Sequence, residues 1–328
     1  MEFMVFDADA HIMDSEGEIA KSANINRSRL MPCDAWDRSL GGEYPYISPS
    51  TTQHIDFMNH LKISQSVIYP TRSLSLGLQP EIQIAEAIVN GYHEVVKSFC
   101  KPAKNCLLPA ALALPHNPSY TAAYIEKYKQ EGFVALTLLP HGNGGLLGHK
   151  RFYELYEACE AASMPITIHP NSAGVPGLEE FSTFIEMHTC SVPFILFKQL
   201  VSLTFSGVFE KFPKLRWFFP EAGAGWLPFW IDRMDKEYLL RRSETNLTIK
   251  PSELLAQSLI YVSSGSSEEG LNIIDQKLGG GVVWASDYPH WDHEDFIEIN
   301  FLVQNYGAEF TKRLLHDNAQ SLYFGDIR

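Results

Sequence analysis

The sequence predicts a single (β/α)8 barrel. Eight short apolar, β-prone runs begin near residues 4, 66, 107, 134, 165, 215, 259 and 282, and a helical pattern follows each. Alternation at this spacing implies right-handed parallel crossovers. No glycine-rich dinucleotide fingerprint follows the first run, so a closed barrel fits better than a doubly wound sheet. No internal repeat, low-complexity segment or linker divides the 328 residues, so residues 1–328 read as one domain.

In chain order, the first strand is Phe3-Met4-Val5-Phe6, and Asp7-Ala8-Asp9-Ala10-His11 follows it. Residues 13–50 are polar and broken by Pro32, Gly41, Gly42, Pro45 and Pro49. A connection this long reads as a lid or binding loop rather than a passive link. Residues 51–61 form a helix with Ile55, Met58 and Leu61 at helical spacing, and the strand 66–69 is stopped by Pro70. Then come a helix over 80–99, a strand over 107–114, a helix over 120–130 and a strand over 134–139. The last leads into a glycine-rich loop, 141–148. A helix over 152–162 precedes the strand Pro165-Ile166-Thr167-Ile168-His169. Helices are expected within 178–212, a strand over 215–219 ending at Pro220-Glu221, and a helix over 225–238. A strand over 259–262, a helix over 267–277 and a strand over 282–285 ending at Ser286-Asp287 come next. Helices near 295–306 and 309–316 close the chain.

Composition narrows the partners. Hydrophobic content of 45% and charged content of 20% are those of a globular protein. There are 39 acidic and 26 basic residues, a formal net charge of −13. That balance argues against nucleic acid and against an anionic membrane, since both need basic patches. The partner expected is a small-molecule substrate, with a homo-oligomer possible. Cys33, Cys100, Cys106, Cys159 and Cys190 are scattered, without a C-x-x-C pair. This suits a reducing compartment and speaks against a thiolate zinc site. No signal peptide or membrane span is visible, so a cytoplasmic location is the expectation.

The polar residues collect at strand ends. Strand one carries Asp7, Asp9 and His11, strand five His169, strand six Glu221, and strand eight Asp287 with His290 three residues on. Asp9 and His11 are two apart, so an extended backbone puts both on one side. In a barrel all these ends converge on the face that carries active sites. Buried Asp and His side by side need a compensating cation. Imidazole and carboxylate donors suit one divalent metal, Zn²⁺ most readily and Mn²⁺ or Fe²⁺ as alternatives. No P-loop ending and no G-x-S-x-G nucleophile elbow occurs. Trp36, Tyr44, Tyr46 and Arg72 are candidates for lining the pocket.

With these motifs the chain resembles the amidohydrolase superfamily, in particular the "amidohydrolase 2" group related to aminocarboxymuconate-semialdehyde decarboxylase. The carriers are Asp7-Ala8-Asp9-Ala10-His11, Thr167-Ile168-His169-Pro170, the block from Phe205-Ser206-Gly207 to Pro213-Lys214-Leu215, Glu221-Ala222-Gly223-Ala224-Gly225-Trp226-Leu227-Pro228, Ser286-Asp287-Tyr288-Pro289-His290 and Asn318-Ala319. The resemblance implies a metal held by Asp9, His11, His169 and Asp287. Many relatives carry His-x-His on strand one, where this chain has Asp9. The family's decarboxylases place a histidine on strand six, where this chain has Glu221. No lysine stands at the end of strand four, which speaks against a carbamylated-lysine bridge between two metals.

The expected activity is that of a metal-dependent hydrolase acting on a small carbonyl or carboxylate compound through a metal-activated water. Asp287 would be the general base, and Glu221 a base or further ligand assisted by His188. Glu221 tilts the expectation towards hydrolysis. Non-oxidative decarboxylation is the alternative within the family. A two-metal iron oxygenase, with a second ion through Glu221 and His188, is another, and a non-catalytic barrel subunit is the alternative of a different class. His290, Asp14 and Arg72 are further candidates for contact with substrate or for support of the ligands.

Overall fold

The computed structural model of the protein describes residues 3–26, 30, 47–142, 145–171 and 180–325. Trp36, Tyr44, Tyr46 and Cys33 lie outside them. Eight strands form one parallel sheet in sequence order. They are β1 (Val5–Ile12), β2 (Ile63–Pro70), β3 (Leu107–Leu112), β4 (Ala135–Leu138), β5 (Ile166–Ile168), β6 (Trp217–Phe219), β7 (Ile260–Ser264) and β8 (Val282–Trp284). The strands are apolar almost throughout because both faces are covered. One face fills the barrel with Phe6, Val67, Tyr69, Ala110, Phe218 and Tyr261. The other packs on the helices through residues such as Ile68, Leu112, Leu136 and Ile166.

The barrel closes just beyond the end of β8. The Asp287 N–H donates to the Asp9 carbonyl at 2.9 Å, and the His11 N–H donates to the Tyr288 carbonyl at 2.7 Å. Asp7 reinforces this seam. Its carboxylate accepts from the Ser286 N–H at 2.9 Å and hydroxyl at 2.6 Å. It also accepts from the Ser66 hydroxyl of β2 at 2.9 Å and the Asp9 N–H at 3.3 Å. Burial pushes the Asp7 carboxyl up to about 7, against the pull of these donors.

Most helices fall where their patterns place them. Thr51–Leu61 begins at a capping box made by Ser50 and Gln53 and ends at Lys62 in a left-handed conformation (φ 59°). Ile82–Cys100 covers β2 and β3. The 120–130 helix is instead two, Pro118–Ala122 and Ile125–Gln130. Region 178–212 contains Phe184–Phe205, started by a Thr183–Glu186 capping box, and the short Val208–Lys211. The chain ends in Ile299–Lys312, interrupted at Gly307 (φ 84°), a π-turn Arg313–Asp317, and Asn318–Phe324. That last helix was not expected from the sequence. It plugs the barrel, adding Ala319, Leu322 and Tyr323 to the interior core. Cys100, Cys106, Cys159 and Cys190 are free thiols. Among the described residues no helix is long and apolar enough to cross a membrane.

Asp7→Ala is expected to lower the unfolding free energy by about 3 kcal/mol or more in urea titration. It strands four donors, and a buried unsatisfied group costs roughly 1–3 kcal/mol. A loss below about 1 kcal/mol would show that the seam does not depend on this carboxylate.

Candidate metal centre

The motif expected after the first strand lies within it. β1 runs on to Ile12, so Asp7 to His11 are strand residues. Its alternation is not regular. From Asp7 to Ala10 β1 advances three residues while β2 advances two, from Ser66 to Ile68. This is a bulge, one extra residue on one strand. Before it, Phe6 and Ala8 face the barrel interior. After it, Ala10 and Ile12 face the helices. The change of parity turns Asp9 and His11 inward, where an unbroken strand would have aimed them at the helices.

Three more strand ends meet them. His169 follows β5, Glu221 lies two residues past β6, and Asp287 three past β8. Glu221 and Asp287 both have a left-handed backbone, with φ of 64° and 58°. Such conformations cost roughly 1–3 kcal/mol and persist where surrounding bonds enforce them. Here the Glu221 N–H donates to the Ser263 hydroxyl at 2.8 Å, and the Asp287 N–H is held in the seam. His11 Nε2 lies 3.5 Å from Asp9, 3.5 Å from Glu221 and 3.3 Å from Asp287. His169 Nε2 lies 3.5 Å from both Asp9 and Glu221.

The histidines are oriented from behind. His11 Nδ1 is 2.8 Å from the Pro70 carbonyl, and His169 Nδ1 is 3.0 Å from the Pro170 carbonyl. A carbonyl only accepts, so each Nδ1 carries the proton and each Nε2 lone pair faces the centre. This is how metal-binding histidines are usually held. Both Asp9 oxygens and both Nε2 atoms are buried without a hydrogen-bond partner. Two overlapping groups have their ligand atoms within 4.8 Å of one another: Asp9, His11, His169 and Glu221, and His11, Glu221, Asp287 and His290. Burial raises the Asp9 carboxyl despite the two imidazoles. Burial acts on Glu221 and Asp287 in the same sense, but the imidazoles around them, His169 with His11 for the first and His290 with His11 for the second, together outweigh it and hold both below the usual carboxylate range. Oxygen and imidazole atoms with no other partner fit a divalent metal.

The other expected residues separate. His290 joins the centre, with Nδ1 at 2.7 Å from Asp287 Oδ1 and Nε2 at 3.0 Å from the Thr71 hydroxyl. His188 does not. It lies on the wall of a cavity of about 490 Å³ above the centre, its ring stacked on Phe184 at 5.1 Å and edge-on to Trp291 at 5.5 Å. His188 belongs to neither of the two groups of converging ligand atoms, and the helix Phe184–Phe205 holds it at the cavity wall. Asp14, another candidate for substrate contact, does not line the cavity. Its carboxylate accepts from the N–H groups of Thr71, Arg72 and Ser73 at 2.8, 2.8 and 3.0 Å, and from the Ser73 hydroxyl at 2.5 Å. It is a buried helix cap. Arg72 is half-buried in that turn, whose cavity-lining members are Thr71 and Leu74.

Phe184, Trp291 and Asp292 are among the cavity-lining residues that were not anticipated. Burial, with Asp287 nearby, pushes the Asp292 carboxyl up to about 6. Proximity to the Asp287 motif was the only sequence signal for the last two.

Added Mn²⁺ or Zn²⁺ is expected to raise the melting temperature of chelator-treated protein, with a gain of about 2.7 kcal/mol at a hundredfold excess over Kd. Asp9→Asn should abolish most of that gain. An equal metal-induced shift in the variant would remove Asp9 from the ligand set.

The amidohydrolase family profile matches residues 7–252. No curated protein gives a significant match. Solved structures share the fold across nearly the whole chain. One is 5-carboxyvanillate decarboxylase from Novosphingobium aromaticivorans, complexed with manganese (18% identity, 98% of this chain and 96% of that one, TM-score 0.76). Another is 2,6-dihydroxybenzoate decarboxylase from Rhizobium (15%, 98% and 99%, TM-score 0.73). An amidohydrolase from Mycobacterium avium subsp. paratuberculosis is similar too (14%, 98% and 100%, TM-score 0.77). The chain belongs to the amidohydrolase family and is an enzyme.

Proposed function

We propose that the protein is a metal-dependent decarboxylase of a small organic acid, with Zn²⁺ or Mn²⁺ held by Asp9, His11, His169 and Asp287. The metal supplies Lewis acidity towards the substrate's oxygens. The observation that carries this reading is the Asp287–His290 pair, 2.7 Å apart at the floor of the cavity beside the donor cluster. Decarboxylation breaks a carbon–carbon bond, releases CO₂ and requires one proton at the carbon left behind. Asp287 Oδ1 and His290 Nδ1 are placed to hold that proton, and the Thr71 hydroxyl fixes the far side of the His290 ring. Phe184, His188 and Trp291 offer flat surfaces to a planar substrate. The fold likeness to two decarboxylases, one with bound manganese, favours this over the hydrolysis expected from the sequence.

A second reading, hydrolysis of a C–N or C–O bond, is favoured by Glu221. It is a third carboxylate at the centre, 3.5 Å from both histidines, in the position where the decarboxylases of the group carry histidine.

The test is a panel of hydroxybenzoates and of small esters and amides, with CO₂ release and deuterium uptake from heavy water as readouts. CO₂ release with one deuterium in the product is expected. Ester or amide cleavage without CO₂ would replace this reading by the second. Asp287→Asn should lower kcat by about 10² to 10⁴-fold, the range for loss of general acid–base catalysis. Metal content is to be measured alongside, and an unchanged kcat would remove Asp287 from the chemistry. His188→Ala should raise KM by about 2- to 10-fold, the loss of an aromatic contact, with kcat little altered. A fall in kcat at constant KM would instead give His188 a role in the reaction.

A further inference from the structure

Directly beneath the centre, inside the barrel, three hydroxyl groups form a chain. Thr167 Oγ1 is 2.7 Å from Tyr69 Oη, which is 2.9 Å from Tyr323 Oη. Tyr323 Oη donates to the Ala8 carbonyl at 2.5 Å. Each hydroxyl has one hydrogen, so the order is fixed: Tyr323 gives its proton to Ala8, Tyr69 donates to Tyr323, and Thr167 donates to Tyr69. All four residues are buried. Chained hydroxyls polarise one another, and in the dry interior a missing member leaves its neighbour unsatisfied.

The chain's end points matter. Ala8 lies in the β1 bulge and immediately precedes Asp9. Thr167 is two residues before His169 on β5. The Tyr69 ring itself lies under both imidazoles, 6.3 Å from His11 and 5.3 Å from His169 between centroids. Tyr323 belongs to the C-terminal helix and stacks on Phe6 of β1 at 5.6 Å. One oxygen atom on the last helix thus ties the bulge of β1 to the strand carrying His169.

We propose that Tyr323 is a positioning residue for the metal centre. Its hydroxyl holds the β1 bulge in the register that turns Asp9 and His11 inward, and Tyr69 passes that constraint to β5. The C-terminal helix is in this way part of the metal site although it supplies no ligand. The inference rests on the metal reading of the centre.

Tyr323→Phe removes the oxygen and keeps the ring. The measurement is the Kd for Mn²⁺ and Zn²⁺ by competition with a chelator, together with the Co²⁺ absorption spectrum and the melting temperature of the metal-free protein. Expected are a Kd raised about 10- to 100-fold, the usual cost of losing a group that supports metal ligands, and an altered Co²⁺ spectrum in a folded protein. A folded variant with Kd within twofold of the wild type and an unchanged spectrum overturns the proposal. If Tyr323→Phe does not fold, Tyr69→Phe decides. It leaves the bond to Ala8 but cuts the tie to Thr167, and Kd should rise at least threefold. Unchanged affinity there also overturns the proposal. A wild-type protein that binds neither metal overturns the metal reading itself, and so separates the two failures.

Discussion

The seam between β8 and β1 is made by two backbone hydrogen bonds and one buried carboxylate, that of Asp7. The donors and acceptors of those two backbone bonds belong to Asp9, His11, Asp287 and Tyr288. Closure of the barrel and assembly of the centre are therefore one event. If β1 and β8 part, Asp9 and Asp287 part with them. Asp7 fixes this geometry from the outer side of β1, where it accepts from β2 and from Ser286 at once. Asp7, the one carboxylate of the motif outside the expected ligand set, serves to bring the neighbouring ones into place.

The centre is electrostatically incomplete as a set of protein groups. Three carboxylates and two imidazoles with inward-facing lone pairs occupy one buried space. The effective penalty for burying an ion in a protein is several kcal/mol each, and the two imidazoles offer at most two positive charges against three carboxylates. Two carboxylates stand on left-handed backbone, which adds to the cost. A bound cation resolves this conflict by supplying the positive charge that all five groups face. The same reasoning explains why both Nδ1 atoms are committed to carbonyls: with those protons fixed, Nε2 is the atom left to coordinate.

Above the centre the chemistry changes from charged to flat. Phe184, His188 and Trp291 come from two separate segments and line one cavity. His188 shows how a residue type can suggest one role and its position another. An imidazole near a metal motif reads as a ligand, but a helix held by its own capping box sets it on the wall. Asp14 is similar. A carboxylate three residues from His11 reads as part of the site, yet the buried N–H groups at the start of the turn Arg72–Leu78 claim both its oxygens.

The sequence by itself determined the barrel, the order of its strands and the residue types at their ends. Those are properties of local pattern: apolar runs of strand length, helical periodicity between them, and costly polar residues where each run stops. It also determined Asp9, His11, His169, Glu221 and Asp287 as one group, because in a barrel all strand ends of one sense meet. The tertiary structure alone decided the rest. The bulge in β1 adds one residue against β2 and reverses which side chains face inward, a change of register that no run of residues announces. His290 enters the centre and His188 leaves it because loop and helix directions, not spacing, set where an imidazole points. The helix Asn318–Phe324 enters the barrel because its apolar face finds an interior left open by small residues such as Ala8 and Ala110. Contacts across more than three hundred residues, such as Tyr323 to Ala8, exist only once the chain has closed on itself.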